Sequence, residues 1–178
     1  MRKKKPLFST FLLLCLLIIS ILSPAVFAEE QPVDKPSLVA LGDSITFGWN
    51  LYEGENPDKT KPSAHAFPNY IMDGGFDVTN LSFPGWTSGQ LLTEIKNNPL
   101  FLPAIAEADV ITLNIGSNDL LGAAEINKVI AEGSLTPEKI EEIKAKIESA
   151  SGLLAANLTQ IIGAIRGVNT EAPILFYN

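Results

Sequence analysis

Ser44 stands at the end of a short apolar run, in Leu38-Val-Ala-Leu-Gly-Asp-Ser-Ile-Thr-Phe-Gly48, where a serine has the makings of a nucleophile. A hydroxyl is weak at neutral pH and needs a general base close by. It also needs donors aimed at the oxygen that turns negative during attack. The run Leu38 to Leu41 has the length and bulk of a buried strand. A strand that ends in Gly-Asp-Ser delivers the hydroxyl to the carboxyl edge of a sheet, where open α/β folds place their sites. Gly42 permits a sharp turn. Asp43 and Ser44 can also bond local backbone as a plain turn or cap, so the tripeptide alone leaves both readings open.

Two later stretches repeat the design. Asn80-Leu-Ser-Phe-Pro-Gly85 closes a second strand-like run and Leu113-Asn-Ile-Gly-Ser-Asn-Asp119 closes a third. With these three blocks in order, each after an apolar run, the sequence resembles the SGNH hydrolases, also called GDSL esterases and lipases. The matching residues are Gly42-Asp43-Ser44-Ile45-Thr46, Gly85, and Gly116-Ser117-Asn118-Asp119.

The resemblance implies a serine esterase or acylhydrolase with Ser44 as nucleophile. It implies an oxyanion hole made by the Ser44 and Gly85 backbone N–H groups and the Asn118 side-chain amide. No metal and no organic cofactor is implied. The substrate would be a carboxylic ester of a lipid, a short acyl group or an acetylated sugar. Each residue also has a structural reading: Gly85 as the turn after Pro84, Asn118 as a helix cap, Asp43 and Asp119 as loop braces. Trp49 and Trp86 could line a cleft, and half-buried packing is the reading preferred for both.

The sequence departs from the family in one respect. The late Asp-x-x-His block that supplies the family's base is absent. The single histidine, His65, matches no family position and reads as an exposed loop residue. The chain is therefore expected to stop short of the family's fifth strand and to be a weak or inactive catalyst. The rival from another class is a non-catalytic module that binds an ester or glycan without cleaving it. A nucleotide-binding Rossmann reading lacks its Gly-x-Gly-x-x-Gly after any strand.

The start of the chain reads separately. A basic patch (Arg2 to Lys5), an apolar run (Leu7 to Leu22) and Val26-Phe27-Ala28 form the layout of a secretory signal peptide cleaved after residue 28. The alternative is a retained membrane anchor. Residues 1–28 hold four of the 13 basic residues and none of the 20 acidic ones, so residues 29–178 carry a formal charge of −11. Such a surface argues against nucleic acid and anionic membranes as partners. Cys15 lies in the leader, which leaves no thiol nucleophile, thiolate metal site or disulfide in the rest.

Residues 29–178 read as one domain. Strands are expected near 37–41, 76–82, 110–115 and 173–177, with a loop over 50–63 that could wall a cleft. Helices are expected over 66–72, from the Thr87-Ser-Gly-Gln90 capping box, and from Thr136-Pro137 to a stop at Gly167. The apolar segment bracketed by Pro99 and Pro103 reads as an irregular turn of helix. Strand and helix in alternation predict a three-layer α/β/α fold with a mostly parallel sheet. The resemblance implies flavodoxin-like order 2-1-3-4-5, with the last strand missing. Asn80 and Asn157 begin glycosylation-like triplets within packed elements and are discounted.

Overall fold

The computed structural model describes residues 34–54, 58–133 and 135–177; the leader, residues 1–28, lies outside them. The sheet has four parallel strands in the order β2-β1-β3-β4. They are β1 (Ser37–Gly42), β2 (Asp77–Asn80), β3 (Val110–Asn114) and β4 (Ile174–Phe176). This is the expected order for the first four strands. The parallel pairing sends β1, β2 and β3 to the same edge, so the loops carrying Ser44, Gly85 and Asn118 leave the sheet together.

The helices are α1 (Ser44–Phe47), α2 (Ser88–Asn97), α3 (Phe101–Ala106), α4 (Ser117–Ala123), α5 (Ile126–Glu132) and α6 (Pro137–Val168). Alternate residues of β1 and β3 point to one face, where Val39, Leu41, Ile111 and Leu113 meet Leu91 and Ile95 of α2, Ile105 of α3, and Ile161 and Ile165 of α6. Leu38, Ala40 and Thr112, on the other face, are buried too.

The capping box at Thr87 forms in full: its hydroxyl accepts from Gln90 N while the Gln90 side chain reaches back to Thr87 N. Thr136 caps α6 by accepting from Lys139 N. Only the carboxyl-terminal half of the predicted α6 face is in the core. Ile161 and Ile165 are buried, Leu154 and Leu158 half-buried, and Ile140 exposed.

The local structure departs from the expectations in detail. The segment 67–74 is a 3-10 helix kinked where Met72 and Asp73 take positive φ. The turn of helix expected between Pro99 and Pro103 is a regular helix, α3, with Pro103 in its first turn, where a missing N–H is harmless. Residues 126–132, read as nothing in particular, form α5. Finally, α6 runs through Gly167 and ends at Val168. The stop is Asn169, whose buried side-chain amide donates to the carbonyls of Ile105 and Ala108, both at 2.8 Å.

Candidate active site

Gly42 ends β1 because nothing larger fits. A Cβ there would collide with the Thr46 side chain and the Asn114 carbonyl. Asp43 N donates to Asn114 O across to β3 (3.3 Å), and the Asp43 carboxylate accepts from Ile45 N (3.0 Å), capping the one-turn α1. Ser44 is its first residue and half-buried. It faces a cleft of about 230 Å³ with Ile45, Gly48 and Trp49. Of its two readings Trp49 takes the cleft-lining one.

The second loop is a tight turn. Trp86 N donates to Phe83 O (3.4 Å), with Pro84 second and Gly85 third at φ +82, the residue types of a type II turn. A Cβ on Gly85 would meet nothing within 4 Å, so its backbone conformation requires glycine rather than any shortage of space. The turn's own bond uses the Trp86 N–H, and the Gly85 N–H is left to other partners. Phe83 N donates to Gly42 O (3.2 Å), which locks this turn beside the serine loop.

The third loop brings in Asn118. It lies in the first turn of α4, whose cap position is Gly116, so the capping role is not the one it takes. Its Nδ2 donates to Trp86 O (2.9 Å) and reaches Asp43 Oδ2 (3.4 Å). One amide thus ties the Gly85 turn to the serine loop. Ser44, Gly85 and Asn118 sit on three loops that meet at one edge, although 41 and 33 residues separate them.

Two carboxylates brace this junction, as the structural readings of Asp43 and Asp119 had it. Asp43 is 1% exposed, and burial pushes its carboxyl above the ordinary carboxylate range. The Ile45 N–H opposes that shift and the negative Asp119 adds to it. Asp119 accepts from Ser88 N (2.8 Å) and Ser88 Oγ (2.6 Å), and Ser88 Oγ in turn accepts from Asn157 Nδ2 of α6 (3.0 Å). In the sequence Ser88 reads only as part of the capping box and Asn157 only as the start of a discounted glycosylation-like triplet, so their place in this network is new. The available signal was the position of Asn157 between Leu154, Leu158 and Ile161, on the apolar side of the helix.

His65 is elsewhere. Its Nδ1 bonds the Tyr70 hydroxyl (2.8 Å) and its Nε2 pairs with Glu53 (3.3 Å), in an exposed setting. Among the described residues no side chain hydrogen-bonds the Ser44 hydroxyl, and no group of three or more His, Cys, Asp or Glu is placed to hold a metal ion.

Residues 40–178 match the family model described as GDSL-like Lipase/Acylhydrolase family. The chain belongs to that family. Among solved structures it is similar to the lipase Lip_vut3 from a goat rumen metagenome (22% identity, TM-score 0.56, covering 80% of this chain and 63% of that one). It is also similar to an extracellular lipase from Streptomyces rimosus (22% identity, TM-score 0.57, 79% and 58%). At these identities the likeness is one of fold, and the chain spans about three-fifths of each lipase's length. No curated protein sequence matches it. The SGNH-hydrolase fold expected from the three blocks is the fold found. Family members are hydrolases of the esterase and lipase type.

Proposed function

We propose that this chain is a secreted serine ester hydrolase. The Ser44 hydroxyl attacks the ester carbonyl, the alcohol leaves, and water then releases the acyl group from Ser44. The observation that carries the reading is the Asn118 amide, held between the Gly85 turn and the loop of Ser44. A carbonyl oxygen beside Ser44 would gain charge next to the Ser44 and Gly85 N–H groups and this amide. Of the two Asn118 contacts, the 3.4 Å one to Asp43 is long for a hydrogen bond. It is the one to be given up when the amide turns to an oxyanion. No metal or organic cofactor enters this scheme.

Activation of the serine is the open part. Neither ring nitrogen of His65 is directed at Ser44, and in a serine protease loss of the histidine alone lowers turnover on the order of a million-fold. Within these 178 residues Ser44 is therefore expected to turn over p-nitrophenyl acetate barely above background. That same observation favours a second reading, a cleft that binds an ester or glycan without cleaving it.

A reactive fluorophosphonate separates the two. On the hydrolase reading it labels Ser44 covalently, and Ser44→Ala abolishes the label and any ester turnover while the fold persists. Labelling that survives Ser44→Ala would mean another nucleophile, and no labelling at all favours the binder. Export goes with the proposal: the mature protein should be found outside the cell and begin at Glu29. Recovery only in membranes with residues 1–28 attached would favour the anchor.

A further inference from the structure

The loops that carry Trp86 and Asn118 are clasped at two points. At the first, Asn118 Nδ2 donates to Trp86 O (2.9 Å). At the second, the next residue, Asp119, accepts from both donors of Ser88, the N–H at 2.8 Å and the hydroxyl at 2.6 Å. Ser88 is fully buried and opens α2, while Asn118 and Asp119 lie in the first turn of α4. The two clasps are rungs between the same pair of segments, so the second constrains the geometry of the first.

A third element holds the second rung. Asn157 of α6 donates its Nδ2 to Ser88 Oγ (3.0 Å). A hydroxyl has one hydrogen, and Ser88 gives it to Asp119. One turn earlier on α6, Leu154 lies against Gly116. A Cβ on that glycine would come within 2.9 and 3.1 Å of the Leu154 methyl carbons. α6 thus grips the start of α4 on both sides of Asn118: at Gly116 through Leu154, and at Asp119 through Ser88. Asn157 interrupts the apolar row Leu154, Leu158, Ile161, and the bond to Ser88 is what it supplies there.

The planar Asn118 amide carries two hydrogens. Trp86 O takes one at 2.9 Å, and only the long 3.4 Å contact to Asp43 is made by the other. Because the group is planar, the bond to Trp86 O sets where the second hydrogen is aimed. We propose that Asn157 is a positioning residue: through Ser88 and Asp119 it holds the Asn118 amide with its second hydrogen directed at the oxygen that gains charge beside Ser44. What that hydrogen serves rests on the hydrolase reading; the aim itself belongs to the folded chain.

The test follows modification of Ser44 by a fluorophosphonate in the full chain. A small misplacement of a group that acts on the reacting centre is costly, and Asn157→Leu should lower the maximal rate about tenfold, part of the 10² to 10³ that one oxyanion donor is typically worth. The half-saturating reagent concentration should not change. In an Asn118→Ala background the same substitution should cost nothing further, because the group it acts through is gone. Ser88→Ala removes the hydroxyl between the two and should match the loss, and it reads the same link if Asn157→Leu does not fold. Asn169→Ala strips two buried bonds from the other end of α6 and should leave the rate alone.

An undiminished rate in Asn157→Leu overturns the proposal. So does an equal loss with and without Asn118, or a matching loss in Asn169→Ala, since either is the mark of general loosening. A second readout needs no reaction: the side-chain NH₂ signals of Asn118 in ¹⁵N NMR should move in Asn157→Leu and stay in place in Asn169→Ala. Signals that stay in place in Asn157→Leu overturn the positioning. Displaced signals in a protein whose Ser44 is never labelled keep the positioning and fail the hydrolase reading. Ser44 labelling at an unaltered rate, with unmoved signals, fails the positioning and keeps that reading.

Discussion

On one side of Ser44 the groups that would meet a developing negative charge are hydrogen-bonded in place. Asn118 spans Trp86 O and Asp43, Asp119 grips Ser88, and Asn157 anchors Ser88 to the long helix α6. On the other side the serine opens on Ile45 and Trp49, and the one histidine is engaged by Tyr70 and Glu53. On the proposed hydrolase reading, charge stabilisation and proton removal thus fall to different parts of the molecule. The first is preorganised by contacts among the described residues; the second has no partner among them. The two are expected to come apart under mutation.

The largest effect belongs to Asn118. Asn118→Ala removes a donor from the preorganised side, and one oxyanion donor is typically worth about 10² to 10³ in rate. The rate of Ser44 modification by a fluorophosphonate should fall by about that factor. The melting temperature should move only a few degrees, because Asn118 is half-buried and its second contact is long. An unchanged rate would mean that the amide serves only to tie the loops together.

Asp119 comes next, and its effect should be on stability first. Asp119→Ala strips the partners from Ser88 N and Oγ, in a residue that is 0% exposed. Leaving buried donors unpaired costs about 1–3 kcal/mol, which urea denaturation would read directly. Asp119→Asn keeps one acceptor oxygen and should lose less. Because Ser88 is the shared partner, the double variant Asp119→Ala/Ser88→Ala should be less destabilised than the two single losses added together. Simple additivity would show that the network does not act as a unit.

Asp43 sets a smaller, pH-dependent effect. Burial holds its carboxyl above the ordinary carboxylate range in the folded protein, so the folded state binds this proton more tightly than the unfolded one. Its stabilising contribution is full below the unfolded value and is lost as pH rises through the raised folded value. The difference in melting temperature between wild type and Asp43→Asn should therefore shift toward wild type as pH falls from 7 to 4. A shift toward the variant on acidification would reverse the sign of the argument.

The preorganised side was also the more legible one in the sequence. Gly42, Gly85 and Asn118 follow apolar strand runs, and parallel pairing carries all three runs to one edge, so local pattern and topology agree. The Asp119–Ser88–Asn157 chain was not visible in the same way. Its members are 31 and 69 residues apart, and each taken singly looks like a loop or helix polar residue. Asn169 displaced Gly167 as the helix stop because two carbonyls from another element wait for its amide, a tertiary fact with no local signature.

The smallest expected effect is at the histidine, and it bears most directly on the open side of the comparison. A histidine that serves as base must lie within hydrogen-bond reach of the proton it takes. His65 Nδ1 is held at 2.8 Å by Tyr70 and Nε2 at 3.3 Å by Glu53, on the surface and without contact to Ser44. Reaching the serine would require giving up both contacts, and His65 N is itself bonded to Ser63 Oγ (3.1 Å). His65→Gln keeps the polarity and size while removing the titratable ring. The rate of Ser44 modification should then stay within about twofold of wild type between pH 6 and 8, and stability should change by no more than the ~0.5 kcal/mol usual for an exposed site. A tenfold loss of Ser44 reactivity would instead make His65 the base and erase the contrast between the two sides.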